Sequence, residues 1–270
     1  MYNLGDTSSL KMKLFLLLVL AAWHQAAAYP TKVEKVENVN DIINGYSCAY
    51  GSIPWQVFLT YKTDKGDHFC GGSLINQWWI LSAAHCQGIP GTMVVRLGEH
   101  ILSANEGTEQ FIYAAKQIRH PNYNPQVFDN DIMLIKLAQA AQYNQYVYPI
   151  PLPSSCVATG TWCTVSGWGN MVTNGVMNAN ALQCLNQPII SSEQCQQAYP
   201  SEYTNNMMCS GYMQGGWSTC QGDSGGPLVC NGELQGIVSW AYKCAVAGHP
   251  TVFTKVCNYH SWIYQVMSEN

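Results

Sequence analysis

The sequence predicts an all-β fold, a sandwich or a barrel, on three observations. From residue 42 onward, apolar residues come in short alternating runs broken by Gly, Pro and Asn. A 47% apolar composition with 23 glycines and 12 prolines supplies both a core and many turns. Helix-like signals are confined to two short segments. In chain order, residues 56–61, 93–97, 132–137, 234–240 and 251–256 read as strands. Ser191 or Ser192 caps a short helix through Tyr199, and residues 258–267 form a terminal helix. No internal repeat and no low-complexity linker interrupts this pattern.

A chain of 270 residues suits one large domain or two fused small ones. It carries 12 Lys and Arg against 16 Asp and Glu, a net charge of −4. No basic run that could track phosphates is present, which excludes nucleic acid as a partner. The 12 cysteines are even in number and none shares a C-x-x-C spacing. That pattern argues against zinc and for disulfides formed in an oxidising compartment.

The amino terminus agrees with export. Lys11 and Lys13 precede an apolar run over 14–22, and Ala26, Ala27 and Ala28 offer small residues for cleavage. Residues 1–28 therefore read as a signal peptide, with Met1 or Met12 as its start. A membrane anchor is the competing reading, but the run has about half the ~20 residues a span needs. Residues 29–41 are polar and aperiodic and read as a propeptide. The expected product is secreted, extracellular and free of membrane.

Three stretches carry chemistry. Gly222-Asp223-Ser224-Gly225-Gly226-Pro227 sets a serine among glycines, where the backbone can approach a carbonyl and successive N–H groups can converge on one point. Ala83-Ala84-His85-Cys86 supplies a histidine next to a cysteine that can hold it in place. Asp131-Ile132-Met133-Leu134 supplies a carboxylate at the mouth of an apolar strand. Each alone has an ordinary structural reading: a turn, a core histidine, a turn aspartate. Together they offer a nucleophile, a base and an orienting acid. A serine hydroxyl is a weak nucleophile at neutral pH and needs such a base.

These stretches, with Ile42-Ile43-Asn44-Gly45, Gly167-Trp168-Gly169 and Ser239-Trp240, resemble the trypsin/chymotrypsin serine proteases, and within them the vertebrate, fish-like pancreatic trypsins. The resemblance covers residues 42 to about 267. It implies two six-stranded antiparallel β-barrels, roughly 42–150 and 151–256, with a C-terminal helix over 257–268. It implies Ser224 as nucleophile, His85 as base and Asp131 as its orienting partner, with the backbone of Gly222 and Ser224 as the oxyanion hole. It makes Ile42 the terminus created by activation and Asp223 its partner. It pairs Cys48 with Cys184, Cys70 with Cys86, Cys156 with Cys257, Cys163 with Cys230, Cys195 with Cys209, and Cys220 with Cys244. It implies a structural Ca2+ held by Glu99, Glu106 and Glu109 with the carbonyls of Ile101 and Ala104. Hard oxygen ligands suit that ion, whereas the bland reading of the segment is a solvated acidic loop. Its implied partners are protein and peptide substrates and protein protease inhibitors, acting on a monomer.

Two departures from the trypsin pattern bear on function. Asn38-Val39-Asn40-Asp41 replaces the acidic run and lysine that precede the new terminus in trypsinogens. Ser218 stands where trypsins carry an aspartate, while Ala241 and Thr251 replace glycines. With Thr219, Ser239, Trp240 and Phe128 these residues form the expected substrate-binding set. The pocket implies a chymotrypsin- or elastase-like preference for medium apolar side chains and a digestive role. Trypsin-like cleavage after Lys or Arg is one alternative, and a catalytically silent binding protein is another. His68, His100, His120, His249 and His260 have no partner spacing. Trp78, Trp79, Trp162, Trp168 and Trp217 read as packing residues.

Overall fold

The computed structural model describes residues 41–169 and 180–270. The expected signal peptide and nearly all of the expected propeptide lie outside these residues. After a short turn over Asp41–Asn44 comes β1 (Tyr46–Ser47), then six strands: β2 (Gln56–Thr63), β3 (Gly66–Asn76), β4 (Trp79–Ser82), β5 (Val94–Leu97), β6 (Gln110–Arg119) and β7 (Met133–Leu137). They close into an antiparallel barrel in the order β2-β3-β4-β7-β6-β5, sealed by pairing of β2 with β5. Leu59, Ile80 and Leu134 are fully buried inside it.

The second group is β8 (Trp162–Gly167), β9 (Gln183–Pro188), β10 (Met207–Ser210), β11 (Pro227–Cys230), β12 (Glu233–Trp240) and β13 (Thr251–Lys255). With β1 they run in the order β1-β9-β8-β11-β12-β13-β10. A bridge between Ile189 and Ser210 returns β10 to the end of β9, with Ile190 N–H donating to the Cys209 carbonyl at 2.9 Å. This closes a second six-stranded barrel.

The expected first-barrel boundary at residue 42 differs from the observed packing. β1 pairs with β9, Cys48 bonds Cys184, and Ile42 is buried with Val165 and Leu228 in the second barrel's core. An isoleucine at that point finds its apolar surroundings in the second barrel. The short helix spans Ser192–Ala198, and its cap Ser191 accepts from Gln194 N–H at 3.2 Å. The terminal helix, His260–Glu269, starts two residues later than expected because Val256–Asn258 forms a 3-10 turn. Ile263 and Val266 bury its inner face in one apolar cluster with Leu74 and Leu234. All six implied disulfides are present. Among the tryptophans, Trp79 and Trp168 are buried, whereas Trp78, Trp162 and Trp217 are surface residues and only partly packed.

Candidate active site

His85 sits on the 3-10 turn Ala84–Cys86, directly after β4. Its backbone N–H donates to Asp131 Oδ1 at 2.9 Å, and Nδ1 lies 2.7 Å from Oδ2. A carboxylate oxygen accepts, so Nδ1 is the donor in this pair and Nε2 faces away from it. Asp131 is fully buried at the start of β7. Ser239 Oγ donates to its Oδ2 at 2.5 Å, and Thr254 Oγ1 donates to its backbone carbonyl at 2.6 Å. The Phe128 ring meets the imidazole edge to face at 5.7 Å. The ring is thus held at Nδ1 by Asp131 and flanked by Phe128.

Ser224 lies in the turn before β11. Its carbonyl accepts from Gly71 N–H at 2.7 Å, which anchors the serine to β3. Gly71 follows Cys70, Cys70 is bonded to Cys86, and Cys86 follows His85. Ser224 also lines the same cleft as Ser239, whose hydroxyl reaches Asp131. His85 and Asp131 are therefore in contact, and Ser224 is tied to the same region through Gly71 and through the cleft it shares with Ser239. Within the turn, the N–H groups of Asp223, Gly225 and Gly226 are bonded to the carbonyls of Cys220, Val238 and Asp223. Those of Gly222 and Ser224 donate to no group among the described residues. Gly225 has φ +79°, and a Cβ there would lie 2.3 Å from Ser82 Oγ and 2.5 Å from the Gly71 carbonyl oxygen.

Asp223 points the opposite way and is fully buried. Its oxygens accept from Gly169 and Cys220 N–H, each at 2.9 Å. Burial pushes its carboxyl up to about 6, against the lowering effect of those two bonds. Ile42 is fully buried too, and Ile43 bridges to Ser218.

The cleft beside Ser224 has a volume of 370 Å³, and Thr219, Trp240 and Ala241 are among its walls. Behind the wall residue Thr219, Ser218 and Thr251 are buried and linked to it: Ser218 Oγ donates to the Thr219 carbonyl at 2.5 Å, and Thr251 Oγ1 lies 3.3 Å from Ser218 Oγ and 2.9 Å from Thr219 Oγ1. No carboxylate lines the cleft. Tyr199 backs the Trp240 wall at 4.6 Å between ring centroids and donates to the Pro250 carbonyl at 2.7 Å. Its burial pushes the phenol up to about 12.

Away from the cleft, Glu99, Glu106 and Glu109 lie in one loop of the first barrel. Glu106 Oε2 accepts from His100 and Ile101 N–H, and Glu109 accepts from Glu106 and Thr108 N–H. Glu99 pairs through Oε1 with Arg96, while its buried Oε2 has no hydrogen-bond partner. Burial raises the Glu99 carboxyl, Arg96 lowers it, and the charges of Glu109 and Glu106 raise it again. The unpartnered Glu99 oxygen and the two further carboxylates of the loop are hard oxygen donors of the kind a calcium ion takes, but their oxygens are not gathered within ligand distance of one another. The Ile101 carbonyl accepts from Ala104 N–H at 3.0 Å and retains a second lone pair.

Comparison with known proteins decides the family. The Trypsin family model matches residues 42–263. The chain belongs to the trypsin family. It is 55% identical to Trypsin I-P1 of Gallus gallus, covering 87% of this chain and 92% of that one. It is 52% identical to a Trypsin of Xenopus laevis, over 96% of this chain and all of the other. It is 50% identical to Serine protease 1 of Rattus norvegicus, over 94% and 99%. The protein is a serine endopeptidase of this family. Sequence reasoning placed Ser239 among the substrate contacts, yet its hydroxyl is spent on Asp131. It missed Thr254 and Lys243, the first supporting Asp131 and the second lining the cleft. Thr254 stands beside no motif, whereas Lys243, between Ala241 and Cys244, was marked by its position but not by its residue type.

Proposed function

We propose that the chain is a secreted precursor which, once cut before Ile42, hydrolyses peptide bonds after medium apolar side chains. The observation that carries the specificity is a cleft lined by no carboxylate, with Thr219 in its wall backed by the hydroxyls of Ser218 and Thr251, so nothing there pairs a substrate cation. Function follows the site rather than the scaffold. A guanidinium entering this cleft sheds hydration without gaining a partner, at a cost of about 3–5 kcal/mol.

In the mechanism, Ser224 Oγ attacks the substrate carbonyl carbon while its proton passes to His85 Nε2. The carbonyl oxygen, now an anion, receives the N–H groups of Gly222 and Ser224. The C–N bond then breaks, and the Nε2 proton goes to the leaving amine, which leaves an acyl-serine. Water repeats the sequence with its proton on Nε2 and releases the acid and Ser224. Asp131 keeps the imidazole in the reactive tautomer and stabilises its cation; this is the triad of the family itself. Phe128, Trp240 and Ala241 border the substrate.

Glu99, Glu106 and Glu109, with the Ile101 and Ala104 carbonyls, would hold a structural Ca2+, which would brace the loop and take no part in a step. The freed Ile42 amino group pairs with Asp223 and orders the turn that carries Ser224. Export follows from the leader over 1–28, and no helix among the described residues is long and apolar enough to cross a membrane. Digestion of dietary protein suits a secreted, disulfide-rich enzyme of this kind. The relatives' name, trypsin, favours the second reading, cleavage after Lys or Arg. The deciding test is kcat/KM for matched Leu, Phe, Tyr and Arg substrates on the processed enzyme. Leu is expected to lead, with Arg about a hundredfold or more behind. An Arg substrate ahead of all three would reverse the assignment. A processed chain that takes no fluorophosphonate on Ser224 would be a binding protein instead.

A further inference from the structure

No carboxylate lines the cleft beside Ser224. One uncommitted cation lines the same cleft: Lys243, between Tyr242 and Cys244. Its ammonium lies 5.6 Å from the Tyr242 ring centroid and is in none of the ion pairs among the described residues. The nearby carboxylate of Asp223 is turned away onto the N–H groups of Gly169 and Cys220.

We infer that Lys243 is a specificity-determining residue, a fixed positive charge that selects substrates by the sign of the charge entering the cleft. It repels a lysine or arginine side chain and attracts a carboxylate-tipped one. The inference rests on the cleft beside Ser224 being the substrate cleft. It adds to the apolar preference a ranking that shape alone does not produce: at equal size, Glu above Gln, and citrulline above Arg. Lys243 is exposed, so its effect is that of a screened pair, about fivefold for each comparison.

The test uses peptide substrates identical but for the residue before the scissile bond, with Glu against Gln and citrulline against Arg. The ratios of kcat/KM are taken on the processed enzyme and on K243Q and K243E. In the wild type both ratios should exceed one by about fivefold and shrink as salt is raised. They should fall toward one in K243Q and invert in K243E, an inversion that loss of folding cannot produce. Ratios unchanged by K243Q and K243E would overturn the inference. Because each ratio compares isosteres, it is independent of whether Leu or Arg leads, and so fails separately from the apolar preference.

Discussion

Ser239 carries out a task that reaches beyond the substrate groove. Its hydroxyl gives Asp131 Oδ2 a 2.5 Å hydrogen bond across 108 positions of sequence, and Thr254 holds the same residue's carbonyl across 123. A bond to a buried charge contributes about 1.5–3 kcal/mol. Ser239→Ala is therefore expected to lower kcat by about ten- to a hundredfold, with little change in KM and recovery in Ser239→Thr. Steady-state kinetics on an apolar substrate reads this directly; a change in KM alone would assign Ser239 to substrate contact only. His85, Asp131 and Ser224 were legible because each sits in a short stretch of telling residues. Ser239 was legible as a position but not as a partner of Asp131, and Thr254 not at all. Their partners are brought near only by the closure of the second barrel against the first.

At the scale of elements, the turn bearing Ser224 depends on backbones that nearly touch. A Cβ on Gly71 of β3 would lie 2.8 Å from Gly226 Cα, just before β11. Gly225→Ala would drive a methyl group into Ser82 Oγ and the Gly71 carbonyl at a backbone angle that disfavours any side chain. We expect it to lose several kcal/mol of stability and most activity, seen as a lowered Tm and absent burst of acylation. The same close approach explains why β3 was not read as a strand. Glycines at 66, 71 and 72 look like turn punctuation; Gly66 does sit at the β2–β3 turn, but Gly71 lies inside the strand and lets the two barrels meet. The loop of Glu99, Glu106 and Glu109 gives a second expectation. At an ion concentration about a hundred times Kd, binding adds about 2.7 kcal/mol. Chelation should then lower Tm by roughly 5–10 °C for a domain of this size. Initial rates on a small substrate should hold, since the loop belongs to neither the cleft nor the Ser224 turn. Equal melting curves with calcium and with chelator would remove the ion from the account.

For the molecule as a whole, the amino-terminal segment and the catalytic turn are one unit. The two-barrel architecture came from the resemblance, since alternating apolar runs alone distinguish neither barrel from sandwich nor one sheet from two. The seating of Ile42 in the second barrel follows from long-range packing that no local pattern carries. Residues 36–41 hold no Lys or Arg, so trypsin should leave the Asp41–Ile42 bond intact, and amino-terminal sequencing after trypsin treatment checks this. That bond also decides the pH dependence of stability. Asp223 is fully buried, and burial lifts its carboxyl from an ordinary 3.8 to about 6. A carboxyl raised on folding contributes most below its unfolded value and loses that contribution as pH climbs through the folded one. The intact chain should accordingly lose about 3 kcal/mol between pH 4 and pH 6, two pKa units at about 1.4 kcal/mol each. Cleavage gives Asp223 an amino group with an ordinary pKa near 8. The pair lowers the carboxyl and raises the amine, so the amine's contribution is present below about pH 8 and lost as pH rises through its folded value. The measurement is Tm against pH for intact and processed chains, both carrying Ser224→Ala to prevent self-digestion. The processed chain should hold its stability across pH 6–8, where the intact chain has already lost its share. Above the amine's folded pKa the two curves should converge. Parallel curves across the whole range would mean that the Ile42 amine never reaches Asp223.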